Sequence, residues 1–158
     1  MVVIDIQNDI TKHYKEIIGN INQAIDWAAE HEIHVVYIRH YNLSAGTRNF
    51  KPDTLGAQLV PEMKIVSDNI SIKSKGNALT SEAFANFISK EDINDFIIAG
   101  TDATVCVKST CFNMRKANYT VSVLSDCLTS YDKTKIGEML QYYDSKGCRL
   151  ITVSELQN

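Results

Sequence analysis

Proline is nearly absent from this 158-residue chain, occurring only as Pro52 and Pro61. No Pro/Gly-rich linker, low-complexity tract or internal repeat divides it, so one domain spanning residues 1–158 is expected. No apolar run approaches the ~20 residues that a membrane-spanning helix needs. The opening residues, MVVIDIQND, carry acids where a secretory signal would need a basic start. Lysine and arginine form no cluster and the formal net charge is −3. Nucleic acid and anionic membrane surfaces are thereby disfavoured as partners, and a cytoplasmic location is expected. The first half contains no cysteine at all. Cys106, Cys111, Cys127 and Cys148 include no C-x-x-C pair and do not alternate with histidines at zinc-finger spacing. A chain of this length needs no covalent staples, so reduced thiols are expected and each must be judged singly.

What is present is an alternation of short apolar runs with helical patterns. The runs cover residues 2–6, 33–38, 70–72, 96–99, 121–124 and 150–153, and they are rich in Val and Ile. Their length and composition suit strands buried on both faces of a parallel sheet. Ile17, Ile18, Ile21, Ala24, Ile25 and Ala28 mark one face of a helix at 3.6 periodicity. Further helices are expected over residues 80–88, 106–117 and 135–143. Right-handed βαβ crossovers then give a three-layer α/β/α sandwich. Residues 40–69 form a longer excursion that contains both prolines, with a short helix expected near 56–61; such excursions are usually functional or disordered.

In an open parallel sheet, chemistry sits beyond the carboxyl ends of the strands. Three reactive groups fall there. Asp5 closes the first run, Lys73 follows the third, and Cys106 opens the helix after the fourth. Taken singly, each has a bland explanation: a capping carboxylate, a solvated lysine, a small buried hydrophobe. Together they suggest a nucleophile, a base and a cation. The unpaired amides and macrodipole of a helix N-terminus favour a thiolate at Cys106 and could hold an oxyanion. Cys111, Cys127 and Cys148 are read as core residues.

Ile4-Asp5-Ile6-Gln7-Asn8-Asp9 resembles the first-strand motif of the isochorismatase-like cysteine hydrolases. Ile72-Lys73 with Asn77-Ala78-Leu79 resembles their lysine segment. Gly100-Thr-Asp-Ala-Thr-Val-Cys106-Val107, then Ser109-Thr110, resembles their nucleophile segment. Tyr119-Thr-Val-Ser-Val-Leu-Ser-Asp126 is similar to the strand that follows. The likeness runs from near Met1 to near Ser130. It implies a six-stranded parallel sheet in the order 3-2-1-4-5-6 and an Asp5, Lys73, Cys106 triad, so that Lys73 is preferred over Lys75. It also implies a thioester formed from a small amide, ureido or related carbonyl compound. A cis peptide before Asp102 is implied, with the amides of Asp102 and Cys106 forming an oxyanion hole. The resemblance further suggests a homo-oligomer, a dimer or tetramer. Gln7 and His40 are the candidate substrate-binding residues.

The departures from the family pattern are specific. Only four residues precede Asp5, so either a short first strand or an incomplete start is expected. Ile10 and Leu79 stand where aromatics are common. Asp102 is larger and more acidic than the small residue usual there. Asn118 replaces a common glycine, and asparagine is the best substitute in a left-handed helix C-cap. The nicotinamidases of the family bind a metal through an Asp-x-His pair and a second histidine. Here that place reads Arg39-His40-Tyr41-Asn42, no Asp-x-His occurs, and the histidines are scattered at 13, 31, 34 and 40. Neither metal nor cofactor is expected. Cys106 also argues against the vinyl-ether cleavage of true isochorismatases, which use no cysteine nucleophile. A catalytically silent binding or assembly module is the competing expectation, motivated by Asp102 and the compressed amino terminus. A receiver-like signalling domain would need an aspartate where Lys73 stands.

Overall fold

The computed structural model describes residues 1–10 and 14–158; His13 lies outside the described residues. Six strands form one all-parallel sheet: β1 (Val2–Ile4), β2 (Val36–His40), β3 (Ile70–Lys73), β4 (Asp95–Gly100), β5 (Thr120–Leu128) and β6 (Arg149–Ile151). Their order is β3-β2-β1-β4-β5-β6, so the chain reverses direction of growth between β1 and β4. Alternate residues of the strands other than β3 feed two separate cores. Val3, Tyr37, Ala99 and Leu124 face α1 (Ile18–Glu30), which buries Ile21, Ala24, Ile25 and Ala28 at the spacing read from the sequence. Val2, Ile4, Ile38, Ile98, Val121 and Val123 face the opposite layer, made of α2 (Glu82–Lys90), α3 (Cys106–Lys116) and α4 (Ile136–Ser145). No helix among the described residues is long and apolar enough to cross a membrane.

Three local expectations are corrected. The sixth run ends at Ile151 because Thr152 caps a final helix, α5 (Val153–Gln157). Its side chain accepts from the Glu155 amide while the Glu155 carboxylate accepts from the Thr152 amide, a reciprocal box that draws Val153 out of the strand. β3 is not buried on both faces. It is an edge strand whose apolar residues Ile70 and Ile72 are 41% and 44% exposed, whereas Ser71 and Lys73 point inward. The short helix expected near residues 56–61 is a single turn, Leu55–Ala57. The excursion is instead laced antiparallel onto the continuation of β1. Asn8 and Asp9 amides donate to Gln58 and Gly56 carbonyls, and the Val60 amide donates to Ile6. Asn118 ends the α3 region with φ 65, the left-handed conformation its composition favours.

Gly100 sets the spacing of the two central strands. Its φ is 127, and a Cβ there would lie 2.2 Å from the Ile4 carbonyl oxygen. Any side chain must push β4 away from β1 immediately before Asp5. Gly100→Ala should therefore destabilise the protein by at least ~2 kcal/mol, read as a lowered midpoint in denaturant unfolding. An unchanged midpoint would show that the strands tolerate separation.

Candidate active site

The carboxyl ends of β1, β2, β3 and β4 converge on one cluster. Asp5 follows β1 with φ 56, a left-handed backbone that a non-glycine residue rarely adopts, and its amide donates to the Ile38 carbonyl. Lys73 closes β3, and strand alternation turns it toward the interior rather than to solvent. Cys106 is the first residue of α3. The turn leading to it contains a cis peptide between Thr101 and Asp102 and is tied down by the Tyr143 hydroxyl, which donates to the Ala103 carbonyl. Thr110 Oγ1, on the next turn of α3, accepts from the Ala78 amide and so links this helix to the segment after Lys73.

Lys73 is the hub. Its Nζ lies 2.9 Å from Asp5 Oδ2, 2.9 Å from His40 Nδ1 and 3.4 Å from Cys106 Sγ. The lysine and aspartate side chains are 0% and 5% exposed. Asp5 Oδ1 is buried with no hydrogen-bond partner among the described residues, yet an oxygen of this carboxylate, a His40 ring nitrogen and Cys106 Sγ all fall within 4.8 Å of one another. A proton acceptor with a spare lone pair therefore stands beside the thiol. Burial pushes the Asp5 carboxyl up, and the Lys73 charge only partly reverses this. Burial likewise pushes the Cys106 thiol up to about 12, reinforced by the Asp5 charge and opposed by Lys73. The expectation of a thiolate-favouring environment is thus corrected: desolvation and the neighbouring Asp5 anion outweigh the lysine and favour the thiol form.

Asp102 loses its ambiguity once its contacts are seen. Oδ1 accepts from the Thr104 amide, the Thr104 hydroxyl and Ser130, and Oδ2 accepts from the Tyr131 amide. Burial alone would raise its pKa, but these donors hold it below the usual carboxylate range. The negative charge is committed to the loop. The amides of Asp102 and Cys106 meet no carbonyl among the described residues, and Val105 provides no side-chain cap to α3. The Cys106 amide is thus unpaired among the described residues, as at any uncapped helix start.

A cavity of about 810 Å³ opens over this cluster, lined by Asp5, His40, Phe50, Asp102, Cys106 and Tyr131 among others. Gln7 is not among its walls. It is fully buried, and its amide is consumed by the His40 backbone and the Ala57 carbonyl. Gln7 therefore clamps β2 to the excursion rather than offering a group to a ligand. Sequence reasoning missed Asn42, Asn49 and Phe50, which reach the cavity from the excursion. Phe50 takes φ 56 and donates its amide to Asp9 Oδ2, a long-range turn that no local periodicity announces.

Asp5, His40 and Cys106 also offer the donor atoms of a metal site. The Lys73 ammonium already hydrogen-bonds to Asp5 Oδ2, His40 Nδ1 and Cys106 Sγ, so a cation held by those same three atoms would have to displace it.

None of the curated proteins matches the chain in sequence. Among solved structures, an isochorismatase-like hydrolase from Alkaliphilus metalliredigens superposes with a TM-score of 0.89 at 21% identity, covering 98% of this chain and 94% of its own. The N-carbamoylsarcosine amidase of Thermoplasma acidophilum gives 0.86 at 16% identity, with 99% and 97% covered. A zinc complex of the pyrazinamidase of Pyrococcus horikoshii gives 0.85 at 19% identity, with 96% and 97% covered. These likenesses establish a shared fold. The isochorismatase domain model matches residues 1–155, nearly the whole chain, and the protein belongs to the isochorismatase family.

Proposed function

We propose that the protein is a cysteine-dependent hydrolase of a small amide or ureido-type carbonyl compound, acting through a thioester on Cys106. The observation that carries this reading is the contact of one buried ammonium, Lys73, with both the Asp5 carboxylate and the Cys106 sulfur. Asp5 Oδ1 takes the thiol proton as Sγ bonds to the carbonyl carbon. Charge developing on the substrate oxygen is met by the free amides of Asp102 and Cys106. Protonated Asp5 then gives its proton to the departing nitrogen, the C–N bond breaks and an amine or ammonia leaves. Water attacks the thioester while Asp5 accepts its proton, which returns to sulfur as the acid departs. The engagement of the Asp102 carboxylate by four donors supports this reading over a silent binding or assembly module. The substrate is a small molecule bound in the cavity, and the cytoplasmic, homo-oligomeric setting implied by the resemblance remains part of the proposal.

Ammonia release from a panel of small amides and ureido compounds is the first test. With a responsive substrate, Cys106→Ala should lower kcat/KM on the order of 10⁴-fold or more, and Asp5→Asn by roughly 10²–10⁴-fold. An acid-quenched reaction should carry an acyl adduct on the Cys106 peptide. Retained activity in Cys106→Ala would eliminate the covalent route. Lys73→Met should cost both activity and stability, because it leaves the Asp5 carboxylate buried without its counter-ion.

The acid limb of the pH–rate profile follows from Asp5. Its pKa is raised by burial, so the base is lost as pH falls at values above the ordinary carboxylate range of about 3.9. An acid limb at or below that value would place the titrating base elsewhere. Activity should persist after thorough chelation, since the lysine ammonium supplies the cation of the site; metal-dependent turnover would contradict this.

A further inference from the structure

The third partner of Lys73 lies outside the triad. His40 Nδ1 sits as close to the ammonium as Asp5 Oδ2 does, at 2.9 Å. A lysine ammonium has three N–H donors and no acceptor. At this distance the ring nitrogen must accept, so Nδ1 is bare and the ring hydrogen resides on Nε2. Asp5 Oδ2, His40 Nδ1 and Cys106 Sγ then use all three ammonium protons. Burial, followed by the charge of Lys73, holds the imidazole down at about 4, in keeping with a neutral ring.

The sheet delivers this geometry. His40 and Lys73 are register partners at the ends of β2 and β3, so their side chains leave the same face side by side. The His40 backbone is gripped from both sides by Gln7, whose Oε1 accepts from the His40 amide at 2.7 Å and whose Nε2 donates to the His40 carbonyl at 2.9 Å. On its outer side the ring meets Phe50 edge to face at 5.8 Å. The imidazole is thus fixed at its backbone and packed against a neighbouring ring, and it offers a stationary lone pair.

We propose that His40 is a positioning residue, which accepts the third hydrogen bond of Lys73 and so keeps the ammonium seated between Asp5 and Cys106. The inference rests on the triad reading above. Without that acceptor one ammonium proton is left unsatisfied in a dry site, and the flexible lysine stem can swing toward the open cavity and away from sulfur.

The test needs no identified substrate. The alkylation rate of Cys106 by iodoacetamide, followed on its peptide by mass spectrometry, is measured against pH in the full-length protein. Wild type is compared with Lys73→Met, His40→Asn and His40→Leu. Asparagine places an amide oxygen near the position of Nδ1, whereas leucine has a similar shape and no acceptor. His40→Leu should slow Cys106 alkylation near neutral pH by roughly tenfold and shift its profile to higher pH, as expected for one lost buried hydrogen bond. His40→Asn should stay close to wild type. Thermal unfolding checks each variant, with His40→Ala replacing His40→Leu if the latter does not fold. Wild-type reactivity in His40→Leu alongside a slowed Lys73→Met overturns the role of His40 alone. Equal slowing in the asparagine and leucine variants also overturns it, since the acceptor would then be irrelevant. Unchanged reactivity in Lys73→Met would remove the triad reading, and this inference with it.

Discussion

An ammonium and a carboxylate, both taken out of water, lie side by side where β1 and β3 end. At 2.9 Å and an effective dielectric near 20, their attraction is ~6 kcal/mol. Desolvating each ion costs several kcal/mol, so the pair is close to break-even as a stabilising element. The two apolar layers on either face of the sheet must hold it in place. The dependence also runs the other way. Lys73 could not face inward on an edge strand unless acceptors were waiting there. Asp5 and His40 supply them from two other strand ends and Cys106 from the start of α3. Four separate segments are thereby required to meet at one point.

The backbone bears the strain of that meeting. Asp5 takes a left-handed φ straight after β1, and Gly100 leaves no room for a side chain where β4 passes Ile4. These are adjacent strands, paired from Val2↔Ile98 to Ile4↔Gly100. The carboxylate and the turn to the cysteine are therefore set by a single strand pair, with little slack between them. The loop of Asp102 is fixed in the same spirit. A carboxylate that might have repelled an anion is instead spent on Thr104, Ser130 and the Tyr131 amide, which brace the turn leading into α3.

The alternation of strands and helices was legible because it rests on local signals, runs of Val and Ile and one amphipathic helix, whereas the order of the strands came from the family resemblance. Asp5, Lys73 and Cys106 stood out as reactive residues at run ends, and the family resemblance joined them into a candidate triad. Three features escaped because they are set by contacts distant in sequence. Burial on both faces was the wrong expectation for β3, since the edge position that exposes Ile70 and Ile72 is a property of the assembled sheet. Gln7 read as a polar residue free to meet a ligand, yet its partners, at His40 and Ala57, lie 33 and 50 residues away. The cavity wall at Asn42, Asn49 and Phe50 comes from an excursion without periodicity, held by an aspartate on another segment. The ionisation of Cys106 was misjudged for a related reason. A helix N-terminus is visible in sequence, whereas the degree of desolvation is not.

The raised thiol bears on how the site works. A thiol pushed up to about 12 looks too weak an acid to attack anything at neutral pH. Its proton, however, need not go to water. Burial raises the Asp5 carboxyl as well, and it does so for the same physical reason. Moving the proton from sulfur to Asp5 destroys one buried anion as it creates another, so most of the desolvation cost cancels. Lys73 hydrogen-bonds to both ends of the transfer and remains beside the negative charge whichever group carries it. Burial then suppresses ionisation toward bulk solvent while leaving the internal transfer accessible. In the proposed mechanism the nucleophile is thereby protected until a carbonyl occupies the cavity, and the same low-polarity surroundings strengthen every hydrogen bond offered to the oxygen under attack.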